Sequence, residues 1–431
     1  MTNLLKLSAD VIDGRIGTDE VGPLNRINFQ LSELADDVAM VEAFSHSILF
    51  KTSEGLVVFD TSNLQGSGRV VDAVRNWSKD PFHSLVYTHG HMDHVGGCGT
   101  FLRDAEERGH QRPRVVGHEN IKPRFDRYDA TNGYNLTINK RQFGSVARRG
   151  YDVGSEKERF LPASSAQPDL TYQERMDLKI GGLDVELVHA KGETDDHTWS
   201  YIPKHKAICA GDFLIWAFPN AGNPQKVQRY PAEWAAAMRA MAEKDVELFL
   251  PAHGLPIEGK ERIKGVLTDV AEALEFLVQE TVARMNDGMR LDDIVHEVQL
   301  DPSYLEKPYM QPTYDEPEFV VRNIWRLYGG WYDGNPAHLK PAKHADLAKE
   351  IALMAGGALA LADRAQALKE TNPRLACHLV EMAVQAEPEN RYAHEVRADV
   401  YQHRRGLETS LMAKGIFGTA ANESKEALGE E

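Results

Sequence analysis

Residues 89–94 read His89-Gly90-His91-Met92-Asp93-His94, directly after the strand-like run HSLVYT that starts at His83. Three imidazoles and a carboxylate in so short a stretch, at the end of an apolar run, strongly constrain the fold. In layered α/β proteins a loop at the carboxyl end of a buried strand is where ligands collect. Extended geometry sends His89, His91 and Asp93 to one side, while His94 turns with the chain as a helix starts. Imidazole with carboxylate suits zinc or a related first-row divalent ion. The Val95-Gly96-Gly97 that follows lets the backbone turn in close, where larger residues would obstruct. A polar surface loop with chance histidines is the bland alternative, and 17 His in 431 residues make that density improbable.

The flanking text supplies alternating elements. Two apolar runs flank the turn signal Thr52-Ser53-Glu54-Gly55 between 37 and 61, which predicts a hairpin. A helix over 68–79 and a buried strand over Ser84–Tyr87 follow. Residues 119–170 hold neither period for long and are rich in Gly, Pro, Asn and charge, so a lid or substrate loop is expected there. Short strands return over 178–212 and at Val246–Leu250. Two β-rich halves, each followed by helix, predict an α/β fold of the αββα sandwich type. After Gly259 the spacing of three and four predicts helices over 259–287, 291–298 and 343–416. Within the last, residues 373–405 read as helix, Glu-Pro-Glu-Asn turn, helix, similar to a single tetratricopeptide-type hairpin.

These readings divide the chain into an N-terminal extension (1–36), a catalytic domain (37–260), a helical region (261–420) and a tail (421–431). A formal charge of −16 argues against a nucleic-acid partner, which calls for a basic footprint. No run reaches the ~18 apolar residues of a membrane span, so no membrane insertion is expected. The first residues lack a secretory pattern, and Cys98, Cys209 and Cys377 are too few and too scattered for a disulfide framework. A cytoplasmic location is the expectation.

A metal site needs ligands from elsewhere, and the second half offers them at strand ends. Asp212 follows AICAG, His253 follows VELFLP, and Glu193 stands in AKGETDDH after VELVHA. Singly, these read equally well as a helix-capping Asp, a loop His and a solvated acidic turn. Their order after HGHMDH makes coincidence harder to accept.

The succession THGHMDH, GET, GD and PAHG resembles the metallo-β-lactamase superfamily. That resemblance implies a dinuclear centre between two sheets. His89, His91 and Glu193 would hold the first ion, Asp93, His94 and His253 the second, with Asp212 bridging. His197 competes with Glu193, because GETDDH can be laid over the GHTPGH of other members. In that overlay the first histidine falls on Glu193, and a glutamate there is similar to the alkylsulfatase branch. YGGWYDGNP at 328–336 resembles the WFDGNP signature of that branch's dimerisation domain, and NKRQFG at 139–144 resembles its lid motif. The resemblance implies two divalent ions, most simply Zn²⁺, and a metal-bound hydroxide with Asp93 among the catalytic groups. It also implies a small-molecule sulfate ester of an apolar alcohol as substrate, and a homodimer built through 317–340. The chain ends where the longer alkylsulfatases continue into a sterol-carrier-like domain.

Departures from that branch bear on the substrate. Its bridging residue is a glutamate followed by asparagine, with nearby histidine and arginine gripping sulfate. Here the text is AGDFLIWAFPNAGNPQKVQRY, with no histidine after Asp212. Asn220, Arg229, Tyr314 and Arg322 are the candidates to replace that grip. Arg322 reads equally as a helix salt-bridge former, and Tyr314 reads more readily as interface packing. Trp216 and Phe218 could line an apolar channel, although core packing is commoner for such residues. The same metals could instead cleave a carboxylic ester, lactone, thioester, phosphoester or activated ether. A non-hydrolytic metal-binding or redox protein is the third reading, and the flavodoxin-like domain of flavin-linked members has no counterpart in the sequence.

Overall fold

The structure is a computed structural model and describes residues 3–147 and 159–430. Two compact units divide the chain. Met1–Leu136, Gly154–Gly288 and Asp293–Gly330 form the first; Thr137–Val153, Met289–Asp292 and Trp331–Glu431 form the second. The first therefore contains the sheets and also most of the helices between 260 and 330, which the sequence assigns to the helical region.

Seven strands form one sheet in chain order: β1 (Leu31–Ala35), β2 (Val38–Val41), β3 (Ser47–Thr52), β4 (Gly55–Phe59), β5 (Phe82–Val86), β6 (Arg114–His118) and β7 (Leu170–Tyr172). The first four pair antiparallel, and β4 through β7 run parallel. The predicted hairpin is β3–β4, with Thr52 opposite Gly55. The second sheet has six strands, β8 (Arg175–Ile180), β9 (Leu183–His189), β10 (Thr198–Ile202), β11 (Ala207–Gly211), β12 (Leu248–Pro251) and β13 (Ile257–Glu258), in the order β13-β12-β11-β10-β9-β8. Strands β2, β4, β11 and β12 are wholly or almost wholly buried runs of apolar residues, as expected of strands covered on both faces. The sheets meet where Thr198 N–H donates to the Thr88 carbonyl and His46 N–H to that of Ala252. Helices Leu64–Trp77 and Cys98–Glu107 pack together beside the first sheet, and Pro231–Ala242 packs on the long helix Lys260–Asn286 beside the second. This is the expected sandwich.

Within the N-terminal extension, helix Leu4–Ile12 buries Leu4 and Val11, and β1 edges the first sheet. The expected lid differs from its prediction. Residues 121–147 are mostly helical, Ile121–Ala130 and Asn132–Ala147, and the stretch 148–158 lies outside the described residues. The first of these helices buries Ile121, Phe125 and Tyr128 but also Arg124. Its inward face thus carries a charge that interrupts the apolar period. Trp216 and Phe218 are buried, with the Trp216 indole N–H donating to the Leu255 carbonyl, in keeping with core packing.

The second unit is built from helices His344–Ala355, Ala358–Leu368, Pro373–Ala386, Arg391–Leu407 and Leu411–Leu428 around small residues such as Ala362, Ala376, Ala383 and Ala393. The predicted pair at 373–405 is present, with Asn390 capping its second helix. The expected tail is instead the end of the last helix, where Ala421, Ser424 and Leu428 are buried and Arg397 donates to Ala420 O and Ser424 Oγ. Among the described residues no helix is long and apolar enough to cross a membrane.

The turn after His94 depends on close backbone approach. A Cβ on Gly97 would sit 2.0 Å from the Thr61 carbonyl oxygen and 2.6 Å from Ser67 Cβ, distances that only backbone movement relieves. Gly97→Ala should therefore lower the unfolding free energy by about 1–3 kcal/mol, read from urea denaturation. An unchanged midpoint and slope would refute the packing argument.

Candidate metal centre

Every candidate ligand projects from a segment that follows a strand. Strand β5 delivers His89, His91, Asp93 and His94; β9 precedes Glu193; β11 delivers Asp212; β12 delivers His253. Ligand atoms of His89, His91, Glu193 and Asp212 all lie within 4.8 Å of one another, and those of Asp93, His94 and His253 form a second such group. His89 Nε2 and His91 Nδ1 are 2.9 Å apart, and Glu193 Oε1 is 3.7 Å from the latter. On the other side His253 Nε2 is 3.3 Å and His94 Nε2 3.5 Å from Asp93 Oδ2. Asp212 touches both groups with different oxygens. Its Oδ2 lies 3.9 Å from His89 Nε2, and its Oδ1 lies 3.4 Å from His94 Nε2 and 3.5 Å from His253 Nε2.

Divalent ions fit this donor set. Seven nitrogen and oxygen donors converge where Asp212 Oδ1 and His94 Nε2 are buried without a hydrogen-bond partner, and buried polar atoms are rarely left so. His94 is held in the tautomer a ligand needs. Its Nδ1 donates to Asp60 Oδ2 at 2.8 Å, which leaves the Nε2 lone pair directed at the cluster. Asp60 also accepts from Thr88 N–H and Thr88 Oγ1, both at 2.8 Å. It is buried with φ +59°, in the left-handed region. Sequence reading passed over Asp60, although an acid ending the run LVVF carries the same signal as Asp212 after AICAG.

A second support has no local signal. Asp196 Oδ2 accepts from Gly90 N–H at 3.0 Å and from Arg124 Nε at 2.8 Å. Arg124 lies in the predicted lid and is buried, and it holds the Asp196 carboxyl down at about 2 despite burial. A Cβ on Gly90 would come within 2.7 Å of Arg124 Cδ, so the glycine lets this pair grip the loop between His89 and His91. His46 does similar work at the other end, with Nε2 donating to the Gly254 carbonyl at 2.8 Å and Nδ1 accepting from Ala43 N–H.

The competing His197 stands outside both groups. Its Nε2 accepts from Asp212 N–H at 3.1 Å, and its ring stacks on Phe213 at 4.2 Å. Of the proposed substrate residues, Asn220 donates through Nδ2 to Glu193 Oε1. Arg229 places Nη2 3.5 Å from that same oxygen. Tyr314 is part-buried, and burial, Glu193 and Asp93 all push its hydroxyl upward. Arg322 is not brought to the centre. It is half exposed on helix Pro317–Gly329 and pairs with Glu318 at 3.4 Å. Lys226, unremarked in the sequence, feels the charges of Arg229, Glu193 and Asp93, and burial with Arg229 lowers its ammonium to about 7.

Protonation in the metal-free protein follows from this layout. Burial pushes His94 and His253 down, but the carboxylates of Asp212 and Asp93 outweigh it and hold both above the ordinary value. Burial dominates at His89 and His91, aided by neighbouring His94 and Arg229 respectively, and both are held well below it. Stability from a raised histidine is complete below the unfolded value of ~6.5 and lost as pH rises through the folded one. A lowered histidine costs stability as pH falls below ~6.5. Chelator-treated protein should therefore be most stable near pH ~6.5, and urea unfolding between pH 5 and 9 would show a maximum. Replacing His94 by Gln should flatten the alkaline limb. A stability that climbs steadily to pH 9 would contradict the assignment.

Residues 41–253 match the family described as the metallo-beta-lactamase superfamily, and residues 290–427 match alkyl sulfatase dimerisation. A linear primary-alkylsulfatase from Pseudomonas sp. is 26% identical over 81% of this chain and 68% of its own length. The alkyl/aryl-sulfatase BDS1 of Saccharomyces cerevisiae is 24% identical over 86% of this chain and 60% of its own. The alpha subunit of a 2,4-dinitroanisole O-demethylase from Nocardioides sp. is 22% identical over 75% of this chain and 89% of its own. The sec-alkylsulfatase Pisa1 from Pseudomonas sp. shares the fold with a TM-score of 0.82 and 22% identity, over 92% of this chain and 66% of that one. The chain thus spans about two thirds of the alkylsulfatases it matches. It carries a metallo-beta-lactamase superfamily domain followed by an alkylsulfatase dimerisation domain.

Proposed function

We propose that the chain is a binuclear metal-dependent hydrolase that cleaves the sulfate ester of an alkyl or other apolar alcohol. The observation that carries the dinuclear part is Asp212, whose two oxygens face separate donor groups. His89, His91 and Glu193 are the ligands on one side, Asp93, His94 and His253 those on the other. Two Zn²⁺ ions held there would act as Lewis acids and lower the pKa of water between them toward neutrality. The three carboxylates offset most of the ions' charge, so the buried centre is not left with an isolated excess. What remains positive is Arg229, 3.5 Å from Glu193, which suits an anionic substrate in a protein that is acidic overall. Asn220 orients Glu193 through its Nδ2 donor.

The named alkylsulfatase relatives support sulfate as the leaving group. The O-demethylase relative favours an activated aryl ether as the second reading, because that match covers most of the relative's length. Release of inorganic sulfate from medium-chain alkyl sulfates, set against carboxylic esters, lactones and a nitro-substituted methyl aryl ether, separates them. Ester or ether turnover without sulfate release would sink the sulfatase reading. Asp93→Ala and His253→Ala should each lower turnover at least a thousand-fold, on the order of a lost metal, and leave far-UV dichroism unchanged. A fully metallated, active Asp93→Ala protein would show the ligand assignment to be wrong.

The proposed protein is a homodimer. The dimerisation match over 290–427 supports this, as does apolar surface left open in the second unit. There Trp331 is 70% exposed and Leu353 and Met354 are each 76% exposed, side chains that a partner surface could cover. Sedimentation velocity should give twice the 48.2 kDa chain mass. L353E combined with M354E should sediment as a monomer with its helices intact; a wild-type monomer at micromolar concentration would refute the dimer.

A further inference from the structure

Glu193 is the one candidate ligand that follows neither HGHMDH nor a strand directly, and its carboxylate is steadied by two residues of a single segment. Asn220 and Arg229, both buried, converge on Glu193 Oε1 from the two ends of 220–229. That segment has little regular structure of its own, and its ends are tied down by residues far along the chain. Phe218 N–H donates to Gln311 O at 2.9 Å. The wholly buried carboxylate of Asp315 accepts from the N–H groups of Gly222 at 2.7 Å, Asn223 at 3.1 Å and Glu316 at 2.7 Å. A Cβ on Gly222 would lie 2.4 Å from the Phe319 carbonyl carbon, so the two backbones touch. At the other end Asn323 Oδ1 accepts from Gln228 Nε2 at 2.9 Å and Arg229 N–H at 3.4 Å, and its Nδ2 donates to Arg229 O at 3.0 Å. Arg326 Nε adds a bond to Gln228 Oε1.

We propose that Asp315 and Asn323 are positioning residues for Glu193, acting through the clamped segment that presents Asn220 and Arg229 to its carboxylate. The inference rests on Glu193 being a metal ligand. An acid in this place, unlike an imidazole, can rotate both oxygens away and repels the neighbouring carboxylate of Asp212. Holding it in one pose therefore takes a donor and a cation at fixed positions, and both come from a segment that cannot hold itself. Asp315 and Asn323 hold it for them.

The test is a Zn²⁺ titration of the full chain against a competing chelator. Asn323→Ala should weaken one of two Zn²⁺ sites about ten-fold or more, the usual cost of losing a ligand's support, and leave the other unchanged. Asn323→Asp keeps the accepting oxygen but loses the Nδ2 donor to Arg229 O, so it should recover only part of that loss. In a Glu193→Gln background Asn323→Ala should add nothing, since the effect passes through the carboxylate. An equal loss at both sites, or a full additional loss in the Glu193→Gln background, would overturn the proposal in favour of a merely structural clamp. If Asn323→Ala does not fold, Asp315→Asn is read by the same criteria. Wild-type protein that binds a single Zn²⁺ would defeat the dinuclear reading separately. The positioning role would then be decided by whether that single site responds to Asn323→Ala and ceases to respond in Glu193→Gln.

Discussion

Three carboxylates, Asp93, Glu193 and Asp212, are gathered with four imidazoles in one buried region, and the rest of the first unit is arranged around that convergence. Bringing like charges out of water is unfavourable unless cations balance them. In the metal-free chain the balance is partial, since Asp212 and Asp93 hold protons on His94 and His253 while Glu193, pressed by burial and by Asp212, is driven toward its neutral form. A donor set that keeps such a frustrated distribution is organised for ions that bring more positive charge than two protons do.

Several parts of that donor set are held from behind. Asp60 fixes the His94 ring, Asp196 with Arg124 fixes the Gly90 backbone, and His46 fixes the turn after His253. These partners come from the residue after β4, from the segment before β10, from a helix after β6 and from the loop before β3. Two parallel-strand crossings and the meeting of two sheets are needed to bring them together. The sandwich is therefore more than a container: strand order determines which chain ends face one another, and those ends carry the chemistry.

How much of this can be read from the chain depends on sequence distance. HGHMDH is legible because covalent proximity alone brings its donors together. Asp212 and His253 are legible because each ends an apolar strand, and Asp60 carries the same mark after LVVF. Arg124 and Asp196 are 72 residues apart, and neither looks unusual locally. The helices over 121–147 were hidden because the first turns an arginine inward and the second has weak apolar contrast between its faces. The end of the last helix was hidden for a related reason, since Ala421 and Ser424 fill its buried face and small or polar residues do not register as an apolar stripe.

Arg322 and Arg229 show the same limit in the substrate region. Both are arginines near the dimerisation signature or the metal segment, and sequence cannot tell which one turns inward. Arg322 lies on an exposed helical face with an acid one turn away, so it finds its partner there. Arg229 also has an acid four residues away, Glu233, yet it is buried and pairs with Glu193 instead. Its backbone is held by Asn323, and its guanidinium reaches the oxygen of Glu193 that Asn220 also bonds. A cation buried at that point offsets part of the extra negative charge that a glutamate brings where other members place an imidazole, and it is itself offset by that carboxylate. The glutamate at 193 and the buried arginine at 229 thus form one electrostatic arrangement.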